Sequence, residues 1–413
     1  MKRLHTLCVF SAFFLTISHA QADTASENNE QVEMWIELME SVQQAGVEFL
    51  RENPQTDELE RAEGLLYVTQ QLATSIQAVL AERDQRLPLL RLGATNIGKW
   101  GLDAPDAKYQ GAFLAQGGAY KLSGSLGNAR IISVQLVQDF PGFSAFGSMN
   151  AGELQADENG RFELLIAETR PDDWDGPWLQ LDPAANRLLI REYFADWKSE
   201  HPSRFMLERI DDMSPAEPPL QLDALAAITH EMEARFGYRL NIWQPWVNRK
   251  QATLVNKVRQ LAATGQGLQS NIYGEGWFRL EEDEILLIEF DAPDAPLWSF
   301  QLGNVWWESL DYVHRRGSIN SEQAVVDSDG RVLLLIAKGD PGFANWLDPG
   351  EHRQGAIMYR IQGAATSIVP EARLMLRSDL ESLMPADSVR LTPEQRKEEL
   401  TLRRAHVTRR WAP

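Results

Sequence analysis

A single cysteine, Cys8, occurs in the 413 residues of this chain. It falls in an N-terminal leader, so the remainder offers no thiol nucleophile, no zinc thiolate and no disulfide. Histidine is scarce as well. His5 and His19 belong to the leader, and His201, His230, His314, His352 and His406 never stand at a metal-ligand spacing. His230-Glu231 lacks the second histidine of a zincin, and no bound metal is expected. Bases are few against acids, 40 Lys and Arg to 59 Asp and Glu, for a net charge of −19. That excess repels phosphate backbones and anionic lipid at long range, so nucleic acid is not an expected partner. A nucleophile elbow, a phosphate loop and a dinucleotide fingerprint are all missing, Gly124-Ser125-Leu126-Gly127 being too short for the last. No cofactor is expected. Long apolar runs are absent too: nothing beyond the leader approaches the ~20 residues of a bilayer-spanning helix, so the mature chain should hold no integral membrane segment.

The leader itself has the form of a Sec-type signal peptide. Lys2, Arg3 and His5 make a basic start, Leu7 to Ile17 is mostly apolar, and Ala20-Gln21-Ala22 supplies a small-x-small cleavage site. Cleavage after Ala22 is expected, with the mature protein in a bacterial periplasm or outside the cell. Cys8 lacks the small-residue context of a lipoprotein site, so no lipid anchor is expected.

What is present is a duplication. Asp157-Glu158-Asn159-Gly160-Arg161-Phe162-Glu163-Leu164-Leu165-Ile166-Ala167 returns 170 residues later as Asp327-Ser328-Asp329-Gly330-Arg331-Val332-Leu333-Leu334-Leu335-Ile336-Ala337. Ile131-Ile132-Ser133-Val134-Gln135-Leu136 is echoed by Leu297-Trp298-Ser299-Phe300-Gln301-Leu302, and Trp178-Leu179-Gln180-Leu181-Asp182-Pro183 by Trp346-Leu347-Asp348-Pro349. A period this long exceeds those of solenoids and propellers and implies two copies of a domain-sized unit.

Helical and strand-like blocks alternate accordingly. Leu65, Leu66, Val68, Leu72, Ile76, Val79 and Leu80 mark an amphipathic helix within a helical region, 23–95, which should form a hairpin. A first β-sandwich unit follows over 96–213, where short β-rich runs are divided by Gly, Pro, Asp and Asn. A linker and helical region, 214–268, opens on Ser214-Pro215-Ala216-Glu217-Pro218-Pro219, and a second β-sandwich unit covers 269–378. The fold class is α+β: duplicated β-sandwich or jelly-roll-like units, each preceded by helices, with a C-terminal helical tail over 379–413. Thr392-Pro393-Glu394-Gln395 is a capping-box start for that last helix. Its basic strip suits docking on the acidic body of the protein, in preference to a membrane or an anionic ligand.

Gly101-Leu102-Asp103-Ala104-Pro105-Asp106-Ala107-Lys108-Tyr109, Ala119-Tyr120-Lys121-Leu122-Ser123-Gly124 and Asp340-Pro341-Gly342-Phe343-Ala344-Asn345-Trp346-Leu347-Asp348 with Arg360 resemble bacterial proteins of the domain-of-unknown-function family 1214, a companion of family 1254. The resemblance spans much of 98–362. It implies a duplicated β-sandwich with attached helices and supplies no mechanism. The first half departs from its Asn-Trp-Leu motif, with no Asn before Trp178, so a site built on that motif belongs to the second half.

Two clusters there could carry chemistry. Asp340, Asn345, Asp348, Glu351 and His352 share a loop to which Arg360 returns, and carboxylates beside His and Arg suit acid-base work or a polar substrate. The same residues also suit a plain turn-rich surface loop. Asn304, Trp306, Trp307, Glu308, Asp311, Tyr312 and His314 set rings beside polar groups, as a sugar or partly apolar ligand requires, or simply pack a core. The ligand-binding candidates are Asn304, Trp306, Glu308, Tyr312, Asn345 and Trp346; the catalytic candidates are Asp340, His352, His314 and Arg360. In the first half, Asp172, Asp173, Asp175 and Asp182 lie near Arg191 and Tyr193 without completing a calcium loop, and Asp157 and Asp327 head hairpin turns. The expected function is a periplasmic small-molecule-binding or envelope-accessory protein; the alternative is a cofactor-independent hydrolase, lyase or isomerase working through the second unit.

Overall fold

The sequence repeat becomes a repeat of sheets. The structure, a computed structural model, describes residues 29–83, 86–95, 98–211, 221–261, 271–364 and 367–412. The leader with its cleavage site and the proline-rich stretch 214–219 lie outside these residues. In the first unit, β1 (Arg91–Leu92), β2 (Ala107–Phe113), β3 (Tyr120–Ser125), β4 (Ile131–Gln138), β5 (Ser144–Asn150), β6 (Arg161–Ala167), β7 (Trp178–Gln180), β8 (Arg187–Tyr193) and β9 (Arg204–Arg209) form two sheets. Their orders are β1-β2-β8-β4-β5 and β7-β6-β3-β9. The second unit repeats both orders as β10-β11-β17-β13-β14 and β16-β15-β12-β18. Its strands are β10 (Lys257–Gln260), β11 (Asn271–Arg279), β12 (Glu284–Asp291), β13 (Leu297–Gly303), β14 (Ser318–Asn320), β15 (Arg331–Ala337), β16 (Trp346–Leu347), β17 (Gln354–Gln362) and β18 (Glu371–Leu376). Strands β1 and β10 begin ahead of the boundaries expected at 96 and 269.

The echoed residues do the same work twice. Asp157 Oδ1 accepts the amides of Asn159 and Arg161, and Asp327 Oδ1 those of Asp329 and Arg331, each at 2.8–3.0 Å. Gly160 and Gly330 follow at φ of +73° and +83°, a backbone region closed to most side chains, so both are hairpin turns. The indole Nε1 atoms of Trp178 and Trp346 donate to Ala167 O and Ala337 O at 3.0 and 2.9 Å, fixing the parallel pairs β6–β7 and β15–β16. Alternation then sends Val134, Leu136, Leu164, Ile166 and Ile190 into one sandwich core, and Phe300, Leu334, Ile336, Tyr359 and Ile361 into the other.

Helices α1 (Glu30–Glu52), α2 (Glu58–Arg83), α3 (Leu222–Asn241) and α4 (Gln244–Thr253) pack on the second unit, and α2 and α3 also reach the first, through Gln77 O with Arg91 and Tyr238 against Phe140. Helices α1 and α2 pack more extensively on α3 than on each other, so the expected hairpin is part of a larger helical layer. The apolar residues expected to face inward do not all do so: Leu65, Leu66 and Leu80 are exposed, while Glu60, Gly64, Tyr67, Gln71, Ser75 and Val79 form the buried face of α2. Small and polar residues suffice there because the large group comes from the other side. The Trp306 ring lies on Gly64 so closely that a Cβ at that position would sit 2.5 Å from Trp306 Cζ2. Gly64→Ala, which raises intrinsic helix propensity by about 1 kcal/mol, is nonetheless expected to lower stability in urea denaturation by about 1–3 kcal/mol.

After β18 the chain runs through α5 (Leu380–Leu383) and an extended strap to α6 (Pro393–Trp411). The strap is pinned by Ala344 N to Val389 O at 2.9 Å and Leu391 N to Gly342 O at 3.0 Å. With α5 it covers an apolar sheet face built from Ile285, Leu287, Leu335, Phe343, Trp346 and Met375. The matching face of the first unit carries polar groups, with Lys121 3.6 Å from Glu163 and 3.5 Å from Glu208. Helix α6 starts on the expected capping box, Thr392 with Gln395. Its Arg396, Arg403 and Arg410, seven residues apart, are buried. Arg396 Nε meets Asp340 Oδ2 at 2.9 Å, Arg403 donates to Tyr312 O and Ser318 Oγ, and Arg410 Nη1 donates to Pro105 O at 2.7 Å. The basic strip therefore docks within the chain and bridges both units. Among the described residues no helix is long and apolar enough to cross a membrane.

Candidate functional site

Each of the two candidate clusters of the second unit is divided between α2 and α6. Trp306 is buried beneath α2, its Nε1 donating to Glu60 O at 2.8 Å and its ring stacked 6.1 Å from that of Tyr67. Asn304 Oδ1 accepts the amides of Trp306 and Glu308, both at 3.0 Å, and its Nδ2 donates to Glu308 Oε2 at 3.2 Å. Tyr312 packs with Phe194, Trp197 and Val407 against α6. Asn345 is occupied at both ends by the backbone of Val325, and the Trp346 ring carries the Arg396 guanidinium at 5.2 Å. Asp340 is held by Arg396. His314 is exposed and bonds Asp311, whereas His352 Nε2 lies 2.8 Å from Glu63 Oε1 on α2. Among the described residues no hydrogen bond or ion pair joins any two of Asp340, His352, His314 and Arg360.

Burial shifts several of these groups. Glu308 is driven up to about 8 by desolvation, partly offset by its bond from Asn304, and its Oε1 has no partner. His352 is also raised: burial opposes its charge, but the hydrogen bond and charge of Glu63 prevail. A group raised on folding stabilises fully below its unfolded pKa and loses that contribution as pH climbs through the folded one. The stability tied to Glu308 is therefore expected to fade between the ordinary carboxyl range and about pH 8. Urea midpoints of Glu308→Gln, measured from pH 5 to 9, should lack that part of the alkaline decline.

Arg360 leads to a different place. On the outer face of the first five-stranded sheet, Ser133, Arg191 and Tyr109 stand in one cross-strand row; in the second, Ser299, Arg360 and Tyr273 form the same row. These faces meet where Leu297 of the second unit packs on Tyr193, Ala104 and Ala107 of the first. Arg191 donates to Gln135 and Arg360 to Gln301, while Arg360 Nη2 also reaches Leu102 O at 2.6 Å. Leu102 and Trp307, two non-glycine residues at positive φ, hydrogen-bond beside this point at 2.8 Å, a strain kept only where packing over-determines it.

Electrostatics ties the two rows together. The phenol of Tyr193 is raised well above its ordinary range by burial and by Tyr109 and Tyr273, against the pull of both Arg191 and Arg360. Tyr109 is raised by burial against the same two arginines. Several other buried cations have partners: Lys250 meets Glu275 at 2.8 Å, Arg316 meets Glu399 at 2.5 Å, and Arg403 and Arg410 lie on the Trp197 ring, whereas Lys108 has no ion pair among the described residues. Arg191 and Arg360 have neither an ion pair nor a ring among the described residues. Both keep a little accessible surface, 6% and 8%, as do Ser133 and Ser299, while the inward neighbours Val134, Ile190 and Phe300 keep 0–1%. Tyr109 and Tyr273 are half-buried. The rows thus bring guanidinium, hydroxyl and phenol groups that keep a little accessible surface to the junction of the two units.

Open hollows lie elsewhere. A trough of about 700 Å³ on the first unit is bordered by Ser123, Asp157, Arg161, Glu163 and Arg204. Its counterpart by Asp327 and Arg331 is reduced to about 130 Å³ by the strap at Met384–Val389. Neither gathers the catalytic candidates, and among the described residues no group of His, Cys, Asp and Glu is arranged to hold a metal ion.

Residues 132–196, from β4 through β8, match the family described as "Protein of unknown function (DUF1214)". Over that segment the chain is similar to the DUF1214 family. The matched segment lies in the first unit and includes Ser133, Gln135, Arg191 and Tyr193, although the sequence had pointed to the second. A crystal structure of an uncharacterized protein from Burkholderia cenocepacia is 28% identical, with 84% of this chain and 97% of that one covered at a TM-score of 0.77. The VPA0106 protein of Vibrio parahaemolyticus is 13% identical over 75% and 98% of the two chains, at a TM-score of 0.44. No curated protein matches the chain. The signal for these rows was already in the repeat: the paired Ser and Gln of Ser133-Val134-Gln135 and Ser299-Phe300-Gln301 are polar residues on largely apolar strands.

Proposed function

We propose that this protein is an exported, periplasmic small-molecule-binding protein whose ligand sits at the junction of its two units. The observation that carries the reading is the pair of equivalent buried guanidinium groups that have no ion pair among the described residues and still touch accessible space. A buried charge without compensation is costly, and convergent polar groups at a junction of two units are the usual surroundings of a small ligand. The junction is preferred to the second sandwich because Trp306, Asn345 and Trp346 are already taken up by contacts within the chain.

Thermal-shift screening of the purified protein against sugars, steroids, organic acids and divalent ions tests this. A compound whose shift disappears in Tyr109→Ala and Tyr193→Ala supports the junction site. One whose shift survives both and disappears in Asn345→Ala would move the site to the second unit. For export, N-terminal sequencing of the periplasmic fraction should begin at Asp23.

A second reading, a cofactor-independent hydrolase, lyase or isomerase, is favoured by the Glu63–His352 pair and by Glu308, a carboxyl kept neutral near neutrality. Turnover lost in both His352→Gln and Glu308→Gln, yet retained in Arg191→Gln, would support it over simple binding.

A further inference from the structure

We infer that the molecule held at the inter-unit junction is a small organic acid, its carboxylate shared by Arg191 and Arg360 and its body laid against Tyr109, Tyr193 and Tyr273. This rests on the binding function proposed above. The charge balance of the junction selects the class. Two guanidinium groups act on the same phenols, and neither has a carboxylate within ion-pair distance among the described residues. One acid that feels Arg360 is Asp103, whose carboxylate accepts the Ser309 hydroxyl at 3.0 Å and its amide at 3.3 Å. A metal cation or an amine would meet net repulsion here, and a neutral sugar would leave both charges uncompensated. A carboxylate matches the planar fork of a guanidinium and can offer one oxygen to each.

The remaining donors agree. Arg191 uses one nitrogen on Gln135 and Arg360 two on Gln301 and Leu102, which leaves further N–H groups on both. Ser133, Ser299 and the Tyr193 hydroxyl add further donors beside them. The three rings supply flat apolar contact, so the acid is expected to carry a hydrocarbon or aromatic body rather than to be an inorganic oxyanion. Because the rows are equivalent, a compound with an acid group at each end also fits.

Calorimetric titration with benzoate and succinate, against benzamide, succinamide and sulfate, tests the class on the whole protein. Binding of at least one acid, about tenfold or more tighter than its amide and than sulfate, is expected, and Arg191→Gln and Arg360→Gln should each abolish it. An amide or sulfate that binds as well as the acids overturns the organic-acid class while the junction site stands. Failure of both acids counts against the class as well. A ligand-free measurement separates function from support: if Arg191 awaits an anion, Arg191→Met should raise the Tm of the empty protein by about 2 °C or more. A fall in Tm would mean that Arg191 is a structural group, and the anion site would be withdrawn.

Discussion

Trp306→Ala is expected to remove about 3–5 kcal/mol of stability, among the largest losses any single truncation here should produce. The indole is almost wholly buried between Gly64, Phe49 and Tyr67, with ring centroids 5.6 and 6.1 Å away from the latter two. Alanine would empty that space and leave Glu60 O without its donor. The helices cannot close the gap freely, since Tyr67 is itself tied to Arg239 O at 2.9 Å. Urea denaturation followed by far-UV circular dichroism gives the number. A double-mutant cycle sharpens it: the cost of Gly64→Ala should vanish once Trp306 is leucine, because no ring is left to meet the new methyl group. Independent, additive costs would show that α2 is held by other contacts.

The second large effect is expected at Arg410. Its side chain is fully buried, donates to Pro105 O and lies 5.6 and 5.3 Å from the rings of Phe194 and Trp197. Arg410→Ala loses the packing of a long side chain and strands a buried carbonyl, for an expected cost of about 3–4 kcal/mol. Arg410→Met keeps most of the volume and discards a charge whose burial is expensive, so it should fall within about 1 kcal/mol of the native protein. Equal losses in the two variants would mean that the charge, through Asp106, outweighs the packing.

The legible part of this protein was the part written in local periodicity. Strands β6 and β15 declare themselves through Arg161–Ala167 and Arg331–Ala337 with their Asp-x-x-Gly turns, and α6 through its capping box. Faces were harder. Leu65, Leu66 and Leu80 satisfy a helical period but point to solvent, because the side of α2 that is buried had to leave room for an indole 242 positions further along the chain. The Trp306 segment looked like a pocket wall since rings beside polar groups serve a ligand and a core equally well. Arg360 was recognised as one member of a site, but its companions Tyr109, Ser133, Arg191 and Tyr273 are separated widely in sequence and meet only when two sheets turn the same face toward each other. A repeat reveals that positions are equivalent; it does not reveal that they are opposed.

The uneven clothing of the two sandwiches has a consequence for how the chain is made. The first unit shows water a sheet face of lysine and glutamate and is complete once β9 has been synthesised, whereas the second carries Ile285, Leu287, Leu335 and Trp346 on the corresponding face. That greasy surface stays bare until residues 377–411 have left the ribosome and wrapped it. During this interval the nascent protein is a ready substrate for chaperones, and any variant that stops before Arg377 should be recovered as aggregate, with its earlier sandwich intact inside it.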